Sequence, residues 1–406
     1  MATIGYVGKQ RIRREVKAWN ITATTTGALF TLTCNGKVVE YLAGVSDTTT
    51  TVAAGLATAV GASTDGEFGE MTAASTGAVL LLAGPADGAP ITVTLGGASG
   101  GTVSTNAGLT VTPLSPYDAA DGANYSGGAV PSAADTLVVE TPGTSIKYGL
   151  DALSAIALSK FRRAATHDGT IGLPSRAAGN FAEYRDTRLE LACSEIEIET
   201  SSTDQAGQIR LALDAGTNAD VTIRGTAKST VGREPVDLIG GLEINVNCNR
   251  SGVSIATTDT EVASVDVFTL IESSAMVGPG LSSFVTVKAT DSNCEIETSF
   301  TSLTLNGGEV VVKGSAAGTP TIHAGTLKWK SSGTLTTPAV RSGGTLDLSE
   351  SAVAAAVSGN ITLEKGATLN DPASRLSRSY TISIARADLR DVTVATGLGG
   401  TVTVAT

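Results

Sequence analysis

The chain is 406 residues long, more than one ordinary core accommodates, which predicts two or three domains. Gly, Ala, Ser and Thr dominate, and two Trp, seven Tyr and seven Phe leave few aromatics for the core of a globular enzyme. With 28 basic and 39 acidic residues the net charge is −11, a poor balance for sequence-independent nucleic-acid binding, which sets Lys and Arg against phosphates.

Residues 1–19 stand apart. Lys9, Arg11, Arg13, Arg14 and Lys17 face a single acid, Glu15, and beyond them Lys37 is the sole basic residue before Leu114. One reading is a solvated terminus or an ordinary first strand; the other is a basic N-terminal arm that docks on an acidic partner surface. On the second reading those five cations are the contact residues, with Tyr6 and Trp19 as apolar anchors. The terminus lacks the apolar run of a secretory signal, so synthesis in a cytoplasm is expected, with action there or release by lysis. No apolar stretch approaches the roughly 20 residues that span a bilayer, so no membrane partner is expected.

Residues 20–113 predict a small α+β domain. Strands are expected at Leu29–Cys34 and Val38–Leu42, joined by Asn35-Gly36, a strong two-residue hairpin signal. Ser46-Asp47-Thr-Thr then caps a short helix carrying Val52, Leu56 and Val60 at four-residue spacing and closed by Gly61. Strands Ala78–Ala83 and Ile91–Leu95 complete a β-β-α-β-β order, with a single helix on one antiparallel sheet.

Segment 114–188 reads as a linker and the first coils of a parallel β-solenoid. Residues 189–370 form its body, and 371–406 a C-terminal cap, either a last coil or a hairpin. Strand runs are expected at Arg188–Ala192, Glu195–Glu199, Ile209–Leu213, Val221–Arg224, Leu242–Val246, Val267–Ile271, Val285–Lys288 and Glu295–Thr298. Their apolar residues mostly alternate, as in strands with one side in a core and the other in water. Beyond residue 160 helical periodicity is confined to Ala352–Val357. In the C-terminal third a phrase recurs after glycines Gly308, Gly325, Gly344 and, shifted by one residue, Gly366, which are 17, 19 and 22 residues apart. Leu305, Ile322, Val340 and Leu363 precede them by three or four places. Strand, glycine turn and strand at a period of roughly 20 residues is what one solenoid coil needs, because no coil buries its apolar face alone. The expected fold is mainly β: a small sheet-and-helix domain, then a parallel, β-helix-like region.

Chemistry is harder to find. The only histidines are His167, in an Arg-rich turn, and His323, beside a glycine corner; both read as surface or corner residues. Cys34, Cys193, Cys248 and Cys294 are scattered without a CxxC pair and read as buried thiols. Cys193 and Cys294 each precede a Glu-Ile-Glu phrase, which predicts similar places in different coils. Glu195, Glu197 and Glu199, Glu295 and Glu297, and Asp388 and Asp391 are the carboxylates that a glycoside hydrolase of β-helix type would pair. Alternation with Ile196, Ile198 and Ile296 instead puts the first two sets on the water side of a strand. A glycan groove would also want exposed aromatics, and Trp329 with a few tyrosines is all that this region offers. No phosphate loop occurs, and Gly397-Leu-Gly-Gly400 is a glycine-rich turn. No catalytic residue, metal or cofactor is assigned.

Two phrases carry a family resemblance. FTLTCNGKVVEYLAGVSDTTTTVAAGLATAV, residues 30–60, resembles a small module of tailed-bacteriophage virion proteins. Tyr125-Ser-Gly-Gly-Ala-Val-Pro131, leading to Asp135-Thr-Leu-Val-Val, resembles the opening of bacterial and phage β-solenoid segments. The order of these units, with Tyr184-Arg185 before another run of strands, is similar to that in phage structural proteins. The resemblance implies a non-enzymatic head decoration or cement protein on the virion's capsid surface. Its partner would be the major capsid protein, its state a homotrimer, and its effect to tie neighbouring capsomers together. The alternative is a tail fibre or tailspike that binds host-surface glycan. A bacterial surface adhesin fits less well, for want of a signal peptide.

Overall fold

The computed structural model describes residues 2–174, 183–227, 234–376, 381–385, 391–396 and 401–405. The protein is mainly β, and two large hydrophobic cores organise it.

The larger core belongs to a wholly parallel set of strands whose pairings close on themselves. Thr3–Tyr6 is its first strand, lying beside Thr136–Val139, and Lys160–Arg163 flanks the other edge of Thr136–Val139. Later strands pair with segments that recur roughly 20 residues on. One inward column therefore runs in register through Tyr6, Val139, Arg163, Ile198, Ile223, Cys248, Leu270, Ala289, Leu305, Ile322, Val340, Leu363 and Ile384. Every side chain in the column is buried, and Arg163 alone is charged. The four aliphatic residues that precede the repeated glycines are consecutive members of it.

The glycines are in register too. Gly325 lies opposite Gly344, Leu327 opposite Leu346, and Leu346 opposite Leu369. Gly325 has φ +83°, and a Cβ there would sit 2.5 Å from the Gly308 carbonyl oxygen, so the corner admits only glycine. Upstream corners solve the same problem differently. Arg250, Glu272 and Asp291 take φ 55°, 48° and 46°, and each is followed by a buried serine, Ser251, Ser273 or Ser292. The serines tie corner to corner: the Ser251 amide donates to Ser273 Oγ at 3.4 Å, and the Ser273 amide to Ser292 Oγ at 3.1 Å. Left-handed backbone costs a non-glycine residue roughly 1–2 kcal/mol, and these corner-to-corner bonds offset part of it.

The smaller core lies between two antiparallel sheets and a helix. Val16–Ala23 pairs with Val79–Ala83 and Thr102–Thr105, and Thr72–Thr76 extends that sheet. Leu29–Cys34 sits between Lys37–Leu42 and Val93–Ala98 in the second. The expected single sheet is thus two sheets. Thr72–Thr76 and Thr102–Thr105 escape the sequence reading because their residues are Thr, Ala, Ser and Val without a clear alternation. The helix Thr49–Ala62 is capped by Thr48, in a reciprocal capping box with Thr51, one residue beyond Asp47. It buries Val52, Ala53, Leu56 and Val60. Gly55 is needed because a Cβ there would lie 2.0 Å from the Tyr41 ring.

Two further expectations change, and one left open between two alternatives is decided. The 1–19 segment is no separate arm, since Thr3–Tyr6 belongs to the parallel set and Val16–Ala23 to an antiparallel sheet. Ala352–Val357 forms no helix: Val357–Ser358 pairs in parallel with Leu335–Thr336, and so short a run does not nucleate a helix by itself. Beyond Pro372, Thr381–Ala385, Thr393–Thr396 and Thr401–Ala405 form further parallel pairs, with no hairpin among the described residues. Asp371 permits this by closing the turn, its carboxylate accepting from the Arg375 and Leu376 amides at 2.7 and 3.0 Å.

Candidate functional site

The sequence-derived contact residues separate into two groups. Tyr6 is 1% exposed and packs edge-on against Tyr125, with ring centroids 5.3 Å apart. Trp19 is 7% exposed within the smaller core. Neither offers surface to a partner, which corrects their reading as anchors: inward register, invisible in the local sequence, buries both. Lys17 is half-buried, 3.8 Å from Glu15. Lys9, Arg11, Arg13 and Arg14 remain exposed on an extended segment around Ile12, itself 49% exposed. The segment is pinned rather than loose. The Gln10 amide donates to Asn124 Oδ1 (2.9 Å), Arg13 Nε to the Thr112 carbonyl (3.0 Å) and Arg14 Nε to the Gly84 carbonyl (2.7 Å). Among the described residues no carboxylate forms an ion pair with these four cations.

The flagged carboxylates behave as the alternation predicts. Lys160 bridges Glu195 and Glu197 at 2.9 and 2.8 Å, and its hydrogen bond holds Glu197 below the usual carboxylate range. Glu199 pairs with Arg162 at 3.5 Å, Glu295 with Lys313, and Asp391 with Lys365 at 3.3 Å; Glu297 is exposed. Asp388 and Gly397–Gly400 lie outside the described residues. Trp329 is fully buried against Phe300 and presents no stacking face. All four cysteines are buried and free, and burial pushes Cys34 up to about 11 and Cys248 up to about 12. Cys193 ends a strand opposite Leu158, whereas Cys294 lies within one between Ala275 and Val310, so the two are not equivalent.

His323 is exposed, but His167 is wholly buried, contrary to its surface reading. The cause is Arg163, whose five donors are all met inside the stack. Its Nη atoms grip both Asp204 oxygens at 2.7 Å and reach the Glu199 and His167 carbonyls, while Nε donates to His167 Nδ1 at 3.3 Å. Since Nδ1 accepts, His167 Nε2 carries the proton and donates to the Thr144 carbonyl at 2.5 Å. Burial, and then the Arg163 charge, push His167 down to about 4.

A second polar centre was not legible in the sequence. Arg210, Asp237, Ser254 and Met276 are register partners on the outward side of the parallel strands, alternating with buried Ile209, Val236, Val253 and Ala275. Further along, the same column continues as half-exposed Glu295 and Lys328. Here, however, Arg188 and the Thr257–Glu261 turn wall it into a cleft of about 310 Å³. Arg188 Nη2 lies 2.9 Å from Asp237 Oδ2 and also bonds Glu261, while Arg210 Nε lies 3.0 Å from the same Asp237 oxygen. Arg210 Nη1 donates to the Leu173 carbonyl at 2.5 Å, and Ser274 Oγ to Glu234 Oε2 at 2.7 Å. Arg188 Nε and Asp237 Oδ1 are buried at the wall without a partner among the described residues. The convergence depends on register across successive strands and on one turn folding back, and no local pattern announces either.

Among the described residues, no cluster of His, Cys, Asp and Glu is placed to hold a metal ion, and no helix is long and apolar enough to cross a membrane. No family model, curated protein or solved structure matches this chain.

Proposed function

We propose that this protein is a non-enzymatic structural component of a phage virion, a capsid decoration or cement protein. The observation that carries this reading is the pinned basic segment Lys9–Arg14: four exposed cations, unpaired with any described carboxylate, on a chain of net charge −11. Such a segment suits an acidic patch on a protein shell, where charge complementarity guides docking and Ile12 adds apolar contact. On this reading the parallel strands coil as a β-solenoid that projects from the shell. Paired surface charges such as Lys160 with Glu195 and Glu197 leave its flank weakly interactive. Three copies around a three-fold position would tie neighbouring capsomers together, each adding binding free energy to the assembled state.

Sedimentation of the full chain with purified empty shells tests the proposal. Replacing Arg11 and Arg13 by Glu should weaken shell binding by at least about tenfold, and the wild-type interaction should weaken as salt rises. Undiminished binding of the double variant would sink the reading.

A further inference from the structure

We propose that the cleft formed by Arg188, Arg210, Asp237, Ser254, Glu261 and Met276 is a binding site for a neutral, hydroxyl-rich ligand, a saccharide ring. The proposal does not rest on shell binding, because the cleft lies on the parallel strands and the basic segment does not line it.

Both guanidinium groups in the cleft are already engaged by carboxylates, and the third carboxylate of the lining, Glu234, accepts from Ser274 Oγ. Arg188 serves Asp237 and Glu261, and Arg210 serves Asp237 and the Leu173 carbonyl. A phosphate or carboxylate ligand would have to draw a guanidinium away from its carboxylate, in a lining that holds three carboxylates, Asp237, Glu261 and Glu234. A hydroxyl needs no such exchange, since it accepts one hydrogen bond and donates another.

The wall holds one group of each kind to meet it. Arg188 Nε is an unmatched donor and Asp237 Oδ1 an unmatched acceptor, on side chains already joined by a 2.9 Å contact. Asp237 is 9% exposed, and an unmatched atom on so buried a residue costs free energy until something fills it. Rotation of the two side chains toward the cleft would let a ligand hydroxyl accept from Arg188 Nε and donate to Asp237 Oδ1. Ser254, Thr257 and Thr258 bring further hydroxyl groups to the lining, and Met276 supplies a polarizable apolar surface for the C–H face of a sugar. The cleft volume is at the lower end of ligand pockets, which suits a single ring rather than a long chain.

The test uses the full chain on an array of neutral and acidic oligosaccharides, with the retained neutral glycans then titrated by calorimetry. The expected result is retention of neutral glycans over acidic ones. Met276→Trp, which fills the cleft and leaves the ion pairs in place, should weaken the measured affinity by at least about tenfold. Arg188→Lys, which keeps the charge but lacks the Nε donor, should also weaken it, and decides the matter if the tryptophan variant does not fold. The Arg11→Glu, Arg13→Glu variant should bind glycan as the wild type does, so loss of shell binding and loss of glycan binding are separable. No neutral glycan retained at about 1 mM, a preference for acidic glycans, or unchanged affinity in folded cleft variants would overturn the proposal.

Discussion

The parallel strands and the N-terminal sheets bury their apolar residues by different rules. In the parallel set a core side chain meets its own equivalents above and below, as Leu305 meets Ala289 and Ile322. In the smaller core each contact is between unlike positions: the Tyr41 ring lies over Gly55 of the helix, and the Phe30 ring against Gly101. Repetition therefore makes the first core tolerant of varied aliphatic residues, provided that the register holds. The second depends on particular pairs of large and small residues. Arg163 is the exception that tests the first rule, a cation in an apolar column, held there by Asp204.

The largest expected effect comes from breaking that exception. Asp204→Ala leaves a buried guanidinium without its counter-charge, and calorimetric or denaturant unfolding should show a loss of about 3–5 kcal/mol. Adding Arg163→Met should restore most of it; if it does not, Asp204 stabilises more than the arginine. In the other core, Leu56→Ala should cost about 3 kcal/mol through the cavity left between helix and sheets. Amide exchange should then quicken in residues 16–105 and stay slow in the parallel strands. Equal quickening in both regions would show that the two cores unfold together.

His167 gives a pH handle on the parallel set alone. The folded protein keeps its ring neutral down to about 4, against 6.5 for the unperturbed group. Between those values the unfolded chain binds more protons, so stability is full above about pH 6.5 and falls as the pH drops towards 4. The loss should be at most roughly 3 kcal/mol, and His167→Gln should flatten that part of the stability profile. The smallest effect belongs to the corners. Gly325→Ala meets both a left-handed φ and a backbone oxygen and should cost about 2 kcal/mol. Gly343→Ala, at φ +82° with no atom within 4 Å, should cost less, because only conformational strain acts there. Equal melting temperatures for the two variants would remove packing from the account of the corner.

The strand–glycine–strand repeat was legible because parallel pairing places equivalent residues side by side, and a position that must be apolar in one strand must be apolar in the next. Leu305, Ile322, Val340 and Leu363 show this directly. The upstream corners carried the same information in another form. Arg250-Ser251, Glu272-Ser273 and Asp291-Ser292 recur at a similar interval, but a polar residue before a serine is too common to stand out without the backbone that explains it. Asn35-Gly36 and the Val52, Leu56, Val60 spacing succeeded for a local reason, since turn and helix geometry are set within a few residues.

The amino-acid sequence by itself determined the mainly β character, the repeating core positions, the Asn35-Gly36 turn, the Thr49–Ala62 helix and the isolated cluster of basic residues near the N-terminus. Only the tertiary structure decided that Tyr6 and Trp19 are buried, that His167 is an interior group locked to Arg163, and that Arg188, Arg210, Asp237 and Glu261 share a cleft. Each of these depends on which distant strand lies alongside and on which turn folds over it. Hydrophobic alternation states that a residue faces in or out; it does not state what it will meet there.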